Sequence, residues 1–179
     1  MLVRNNCTLV IIDVQGKLFE SMSGKDLLLQ NLIRMIQGAK LLGLPIIWNE
    51  QVPEKMGQTV PEIRALLSDL QPIPKSCFSC YGEPAFMNAL KKTGRKQVLI
   101  AGIESHVCVY QTSRDLITAG YQVEVATDAV SSRTEANKAV GIEKIKSIGG
   151  TITSVETALF EMLKTAEDGA FREMLKIVR

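Results

Sequence analysis

Thr8-Leu9-Val10-Ile11-Ile12, closed by Asp13, is a continuous run rich in β-branched residues, the pattern required of a strand buried on both faces. Gln97-Val98-Leu99-Ile100-Ala101-Gly102 repeats it later in the chain. Between and after these runs, short apolar stretches alternate with longer amphipathic ones. Ser23 and Asp26 have capping-box spacing, and Leu29, Leu32, Ile33, Ile36 and Ala39 then recur at helical spacing until Gly43. Pro45 opens a second strand, Ile46-Ile47-Trp48, and Asn49 to Thr59 is polar and reads as a long loop. A short helix over Pro61 to Leu70 is expected next. Ile73-Pro74-Lys75 leads into an edge piece around Ser76-Cys77-Phe78, and a helix spans Ala85 to Lys92. After the Gln97 strand come a helix over Val107 to Ala119, a strand over Tyr121 to Ala126 and a helix over Thr134 to Ile148. A last strand over Thr151 to Ser154 precedes a helical tail from Glu156.

Strand and helix taking turns in this way predict an α/β protein: a three-layer α/β/α domain around a mostly parallel, doubly wound sheet, spanning residues 1–179. With 46% apolar residues, 179 residues suffice for one sizeable core. Lysine and arginine number 21 against 19 acidic residues, so the net charge of +2 gives little electrostatic footprint for nucleic acid or anionic lipid. Met1 to Cys7 lacks the pattern of a secretory signal, and four sparse cysteines read as reduced thiols in a cytoplasmic setting. The single histidine, His106, argues against metal sites built on several imidazoles.

In a doubly wound sheet, ligands sit beyond the carboxyl ends of the strands, which directs attention to Asp13, Asn49, Lys75 and the residues after Gly102. There Ile103-Glu104-Ser105-His106-Val107-Cys108 places a cysteine in the first turn of a helix, where the macrodipole and free N–H groups favour a thiolate. Cys108 is equally readable as a small buried apolar residue. His106, two residues away, points to a different side of a helix and reads as a polar residue of an exposed first turn. Asp13 is the carboxylate at the same sheet edge, and also a common turn residue. Lys75 is either a cation near both or a solvated surface lysine.

Leu9-Val10-Ile11-Ile12-Asp13-Val14-Gln15, followed by Ala101-Gly102-Ile103-Glu104-Ser105-His106-Val107-Cys108-Val109, resembles the isochorismatase-like cysteine hydrolase superfamily over almost the whole chain. With Asp128-Ala129-Val130-Ser131-Ser132-Arg133, these strings look most like its branch of isochorismatase domain-containing proteins. The resemblance implies a catalytic triad of Asp13, Lys75 and Cys108, hydrolysing an amide or ureido C–N bond of a small molecule through a thioester. It also implies a cis peptide at Ile103-Glu104, with the amides of Glu104 and Cys108 as an oxyanion hole. Trp48, Asn49 and Glu104 become candidate pocket residues, with the Glu104 side chain either facing substrate or capping the helix. Trp48-Asn49-Glu50-Gln51 lacks the histidines of the metal-binding nicotinamidase branch, so neither metal nor cofactor is expected. Family members assemble, so the expected partners are a small-molecule substrate and further copies of the chain, with no nucleic acid or membrane.

Two competing readings use other residues. Cys77-Phe78-Ser79-Cys80 is a C-x-x-C motif that suits a thiol redox protein. Phe160, Met162, Leu163, Phe171, Met174 and Leu175 suit either a packed helix or the intersubunit surface of a non-catalytic oligomer.

Overall fold

A computed structural model describes residues 1–179. Six strands form one sheet: β1 (Cys7–Ile12), β2 (Ile46–Gln51), β3 (Ile73–Lys75), β4 (Gln97–Ile103), β5 (Gln122–Ser131) and β6 (Thr151–Thr153). Their order is β3-β2-β1-β4-β5-β6, and every neighbouring pair is parallel. Every residue of β1 and β4 is buried, because helices cover both faces of the sheet. Alternation divides their side chains. Leu9 and Ile11 of β1 join Leu99 and Ala101 of β4 in one core; Val10 and Ile12 join Val98 and Ile100 in the other.

Helices α2 (Lys25–Leu41), α4 (Pro61–Leu66), α8 (Val155–Leu163) and α9 (Phe171–Val178) cover the first face. The second carries α5 (Pro84–Lys92), α6 (Tyr110–Thr118) and α7 (Glu135–Ser147). Two short helices, α1 (Gly16–Glu20) and α3 (Pro53–Met56), follow β1 and β2 at the sheet's carboxyl edge. Of the C-terminal apolar residues, Met162, Leu163 and Met174 are buried, and the half-buried Phe160 meets Phe171 edge-on with ring centroids 6.4 Å apart. No helix is long and apolar enough to cross a membrane.

Several expectations change. Ser23 does not cap α2; Gly24, with φ +63°, holds that position, and Ser23 is pulled aside by backbone and hydroxyl bonds to Ser132 and Ser131. β2 runs on through Gln51, and α3 occupies part of the expected loop. The edge strand is Ile73–Lys75 itself rather than the Ser76-Cys77-Phe78 piece, and exposed Pro74 sits where no ladder N–H is needed. β5 continues five residues past Ala126, since its pairing with β4 resumes beyond a bulge: Ile100 faces Val125, and Gly102 faces Val130.

The sheet order reverses between β1 and β4, and there Gly102 brings the two backbones together. A Cβ at Gly102 would stand 2.1 Å from the Ile12 carbonyl oxygen, and the residue's φ of +121° suits only glycine.

Candidate active site

Beyond Ile12, Asp13 takes a left-handed conformation with φ +52° and is 1% exposed. Gln15 fixes this turn to β2: its side chain accepts from the Gln51 amide at 2.6 Å and donates to the Gln51 and Gly57 carbonyls at 3.1 and 2.6 Å. Gln51 lies in register beside Lys75 on β3, and both reach the same point. Lys75 Nζ donates to Asp13 Oδ2 at 2.7 Å, to Gln51 Oε1, and to the Cys77 and Phe78 carbonyls at 3.2 Å each. Cys108 Sγ lies 3.8 Å from the same nitrogen. Lys75 is therefore a buried, saturated cation rather than a surface lysine.

Cys108 sits in a π-helical turn, Ser105–Val109, that precedes α6. The Val107 and Val109 amides both close on the Glu104 carbonyl. The Ile103–Glu104 peptide is cis, and the Glu104 amide makes no hydrogen bond within the protein. β5 and α7 hold the turn from behind. Ser132 Oγ lies 2.6 Å from Ser105 Oγ and 3.0 Å from His106 Nδ1, so His106 is half-buried and anchored, not a free polar residue of an exposed turn. Gly141 of α7 packs directly on the turn, where a Cβ would meet the Ser105 carbonyl carbon at 2.5 Å.

The Glu104 side chain does not cap the helix. Its Oε1 accepts from Arg133 Nε at 3.0 Å and from the Arg133 amide at 3.4 Å. A cavity of about 410 Å³ has Asp13, Glu104 and Cys108 on its wall with Leu18, Val52, Met56, Phe78 and Val107, and Gln51, Lys55 and Arg133 complete its lining. Trp48 and Asn49, expected in the pocket, do not line it. Trp48 is core, and the Asn49 amide donates to the Ile73 carbonyl. A wider groove of about 970 Å³ lies across α1, beside Trp48 and Arg64, and holds none of Asp13, Lys75 and Cys108.

Burial dominates the titration of the site. It pushes the Cys108 thiol up strongly, the Asp13 carboxylate adds to the rise, and Lys75 opposes it. The helical turn therefore does not yield the resting thiolate that its position suggested, because desolvation and a neighbouring anion outweigh it. Burial also raises Asp13 against the pull of Lys75. Burial lowers Lys75, but the Asp13 charge and the nearby thiols outweigh it, and the net direction is up. At rest the proton belongs on sulfur.

The C-x-x-C segment leaves β3 into a 3-10 turn, Cys80–Gly82, and all four cysteines are free. Cys80 is fully buried, its amide bonded to Thr112 Oγ1 at 2.9 Å and its thiol pushed up by burial to about 12. Glu50, next to Asn49, is occupied by the Thr59 amide and hydroxyl at 2.7 and 2.8 Å. No group of three or more His, Cys, Asp or Glu residues is placed to hold a metal ion. Gln51, Ser132 and Arg133 went unread as site residues; the in-register pairing of Gln51 with Lys75 was the one signal available for the first.

The chain belongs to the isochorismatase family, whose domain model matches residues 7–157. Within it, the chain is similar to isochorismatase domain-containing protein 2A of Mus musculus, 33% identical over 172 residues that make up 96% of this chain and 82% of that protein. It is also similar to a secreted isochorismatase effector of Phytophthora sojae, 35% identical over 99% of this chain and 87% of that protein. Among solved structures, one described as the MAR1 ribonuclease of Caenorhabditis elegans superposes with a TM-score of 0.91 at 30% identity, covering 99% of this chain and 91% of that one. The YcaC product of Escherichia coli, described as an octameric hydrolase of unknown specificity, shares the fold with a TM-score of 0.90 at 24% identity, over 99% of this chain and 86% of that one.

Proposed function

We propose that this isochorismatase-family hydrolase is a cysteine hydrolase, cleaving an amide or ureido C–N bond of a small molecule through a thioester on Cys108. The observation that carries the reading is the meeting of a buried carboxylate, a buried ammonium and a thiol from three separate strand ends, with Lys75 Nζ 2.7 Å from Asp13 and 3.8 Å from Cys108, and Asp13 and Cys108 on the wall of one cavity. Asp13 takes the thiol proton as Sγ attacks the carbonyl carbon, so sulfur becomes anionic only as the C–S bond forms. Lys75 keeps Asp13 in place and balances its charge. The C–N bond then breaks and Asp13 passes the proton to the departing nitrogen. Water, deprotonated by Asp13, attacks the thioester, and the thiol leaves with a proton. The free Glu104 amide is the donor available to the tetrahedral oxyanion, together with the Cys108 amide.

A screen of small amides and ureas for ammonia or amine release, with trapping of an acyl adduct on Cys108 by mass spectrometry, tests the proposal. Cys108→Ala should abolish release, and Cys77→Ser with Cys80→Ser should leave it intact. Turnover that survives Cys108→Ala, or is lost with the Cys77/Cys80 pair alone, would overturn it.

A further inference from the structure

The cavity beside Cys108 offers a surface that is almost entirely carbon, although four charged residues contribute to its wall. Asp13 and Glu104 are buried and paired, to Lys75 and Arg133. Lys55 and Arg133 are exposed, so they present alkyl stems to the cavity and their charged ends to water. Met56 and Phe78 are exposed with them and form the mouth. Leu18, Val52 and Val107 are the half-buried apolar residues of the wall. Leu18 packs against one core and Val107 against the other, whereas Val52 belongs to neither.

Val52 also holds an unfavourable backbone. It is left-handed, with φ +37° and ψ 62°, a region that β-branched residues avoid. Pro53 follows, and a proline presses the residue before it toward extended geometry. The fold does need the turn. The Val52 amide donates to the Lys75 carbonyl at 2.9 Å, and the Val52 carbonyl accepts from the Lys55 and Met56 amides at 2.8 and 3.0 Å to start α3. Glycine would make all three bonds without strain. The valine side chain therefore serves neither the turn nor a core, and the cavity is what it lines. We infer that Val52 is a specificity-determining residue, and that the site takes substrates whose substituent beside the scissile bond is apolar. The inference rests on the hydrolase reading for the reaction and adds the class of substrate. Whichever side of the carbonyl the substituent occupies, a charged group there would give up water to a carbon wall and gain no partner.

Propyl, 2-aminoethyl and 2-sulfonatoethyl methanethiosulfonates deliver groups of similar size and different charge to a thiol. Rates of Cys108 modification, read by peptide mass and divided by the rates with free cysteine, give the preference of the cavity. Ammonia release from butanamide, 3-aminopropanamide and malonamate gives the same comparison in kcat/KM. The wild type should favour the propyl reagent and butanamide. Both leads should shrink roughly 10-fold in Val52→Asn, which suits a left-handed turn but puts an amide in the wall. Val52→Gly should shrink them less, with a urea midpoint at or above that of the wild type because the strain is gone. A wild-type lead for either charged reagent or charged amide would mean that the wall presents its charges and would overturn the inference. Leads unchanged in both variants, with continuing turnover, would overturn it and leave the hydrolase reading standing. A lower urea midpoint in Val52→Gly would make the valine a packing residue and overturn its assigned role. No release from any of the three amides and no acyl adduct on Cys108 would remove the hydrolase reading and this substrate class with it.

Discussion

Alanine at Gly141 offers a test in which stability and activity should part company. Helix propensity favours the change by about 0.5–1 kcal/mol, because glycine in a helix interior is costly. Against it, the new Cβ would lie 2.5 Å from the Ser105 carbonyl carbon and 2.6 Å from the His106 nitrogen, where ordinary contact begins at 3.4 Å. Both neighbours are backbone, so the π-helical turn or α7 must retreat by nearly 1 Å. Overpacking of this kind costs about 1–3 kcal/mol, and the net destabilisation should be about 1–2 kcal/mol. If Cys108 is the nucleophile proposed above, a displacement of about 1 Å in its turn costs on the order of 10²-fold in rate. Urea denaturation gives the first quantity; acylation of Cys108 by p-nitrophenyl acetate, followed by peptide mass, gives the second. Gly169→Ala, at a site where a Cβ meets nothing within 4 Å, is the control and should alter neither. Wild-type acylation in a folded Gly141→Ala protein would refute the claim that α7 sets the position of Cys108.

Lys75→Ala leaves the Asp13 carboxylate buried without its cation, and both side chains are at most 1% exposed, so a loss of about 3–5 kcal/mol is expected in urea denaturation. Asp13→Asn with Lys75→Met should recover most of that loss without activity; a single-mutant loss below about 1 kcal/mol would contradict the buried pair. Asp13→Asn removes the anion that raises the Cys108 thiol while Lys75 still lowers it, so iodoacetamide should label Cys108 faster at pH 8 even as turnover disappears. Slower labelling would reverse the assigned sign. Burial raises the Cys7 thiol to about 12, above its unfolded value, so its contribution to stability is complete below about pH 8.5 and is lost as the pH climbs toward 12. Cys7→Ala should therefore flatten the alkaline decline in denaturation free energy by up to about 1.4 kcal/mol per pH unit, and an unchanged slope would count against that burial.

The parallel sheet and its order of elements were legible because β1 and β4 are apolar at nearly every position, which only a doubly covered strand tolerates. Asp13, Lys75 and Cys108 were reached through strand ends and family resemblance, and the structure brings the three together, with Lys75 Nζ 2.7 Å from Asp13 and 3.8 Å from Cys108. What escaped reading depended on contacts distant in sequence. Thr127 and Asp128 look like the end of a strand, yet they sit in the bulge of β5. There the Asp128 carboxylate accepts from the Val155 amide at 2.9 Å and its carbonyl accepts from Asn31. Pairing then resumes and delivers Ser131, Ser132 and Arg133 to the turn that carries Cys108. The depression expected for the thiol came from its helix position and a neighbouring Lys75, and could not include the burial and the aspartate charge that outweigh them in the folded chain.

Gly102 gives the site a common gauge. Because its missing side chain lets β4 lie against the Ile12 carbonyl, the spacing between the ends of β1 and β4 is set one residue before Asp13 on the first strand and two before Glu104 on the second. A methyl group there would act as a wedge between Asp13 and Cys108 without touching either. A side chain at this position would leave Asp13, Lys75 and Cys108 chemically intact and out of reach of one another, so the geometry of three polar groups rests on one hydrogen atom in the middle of the sheet.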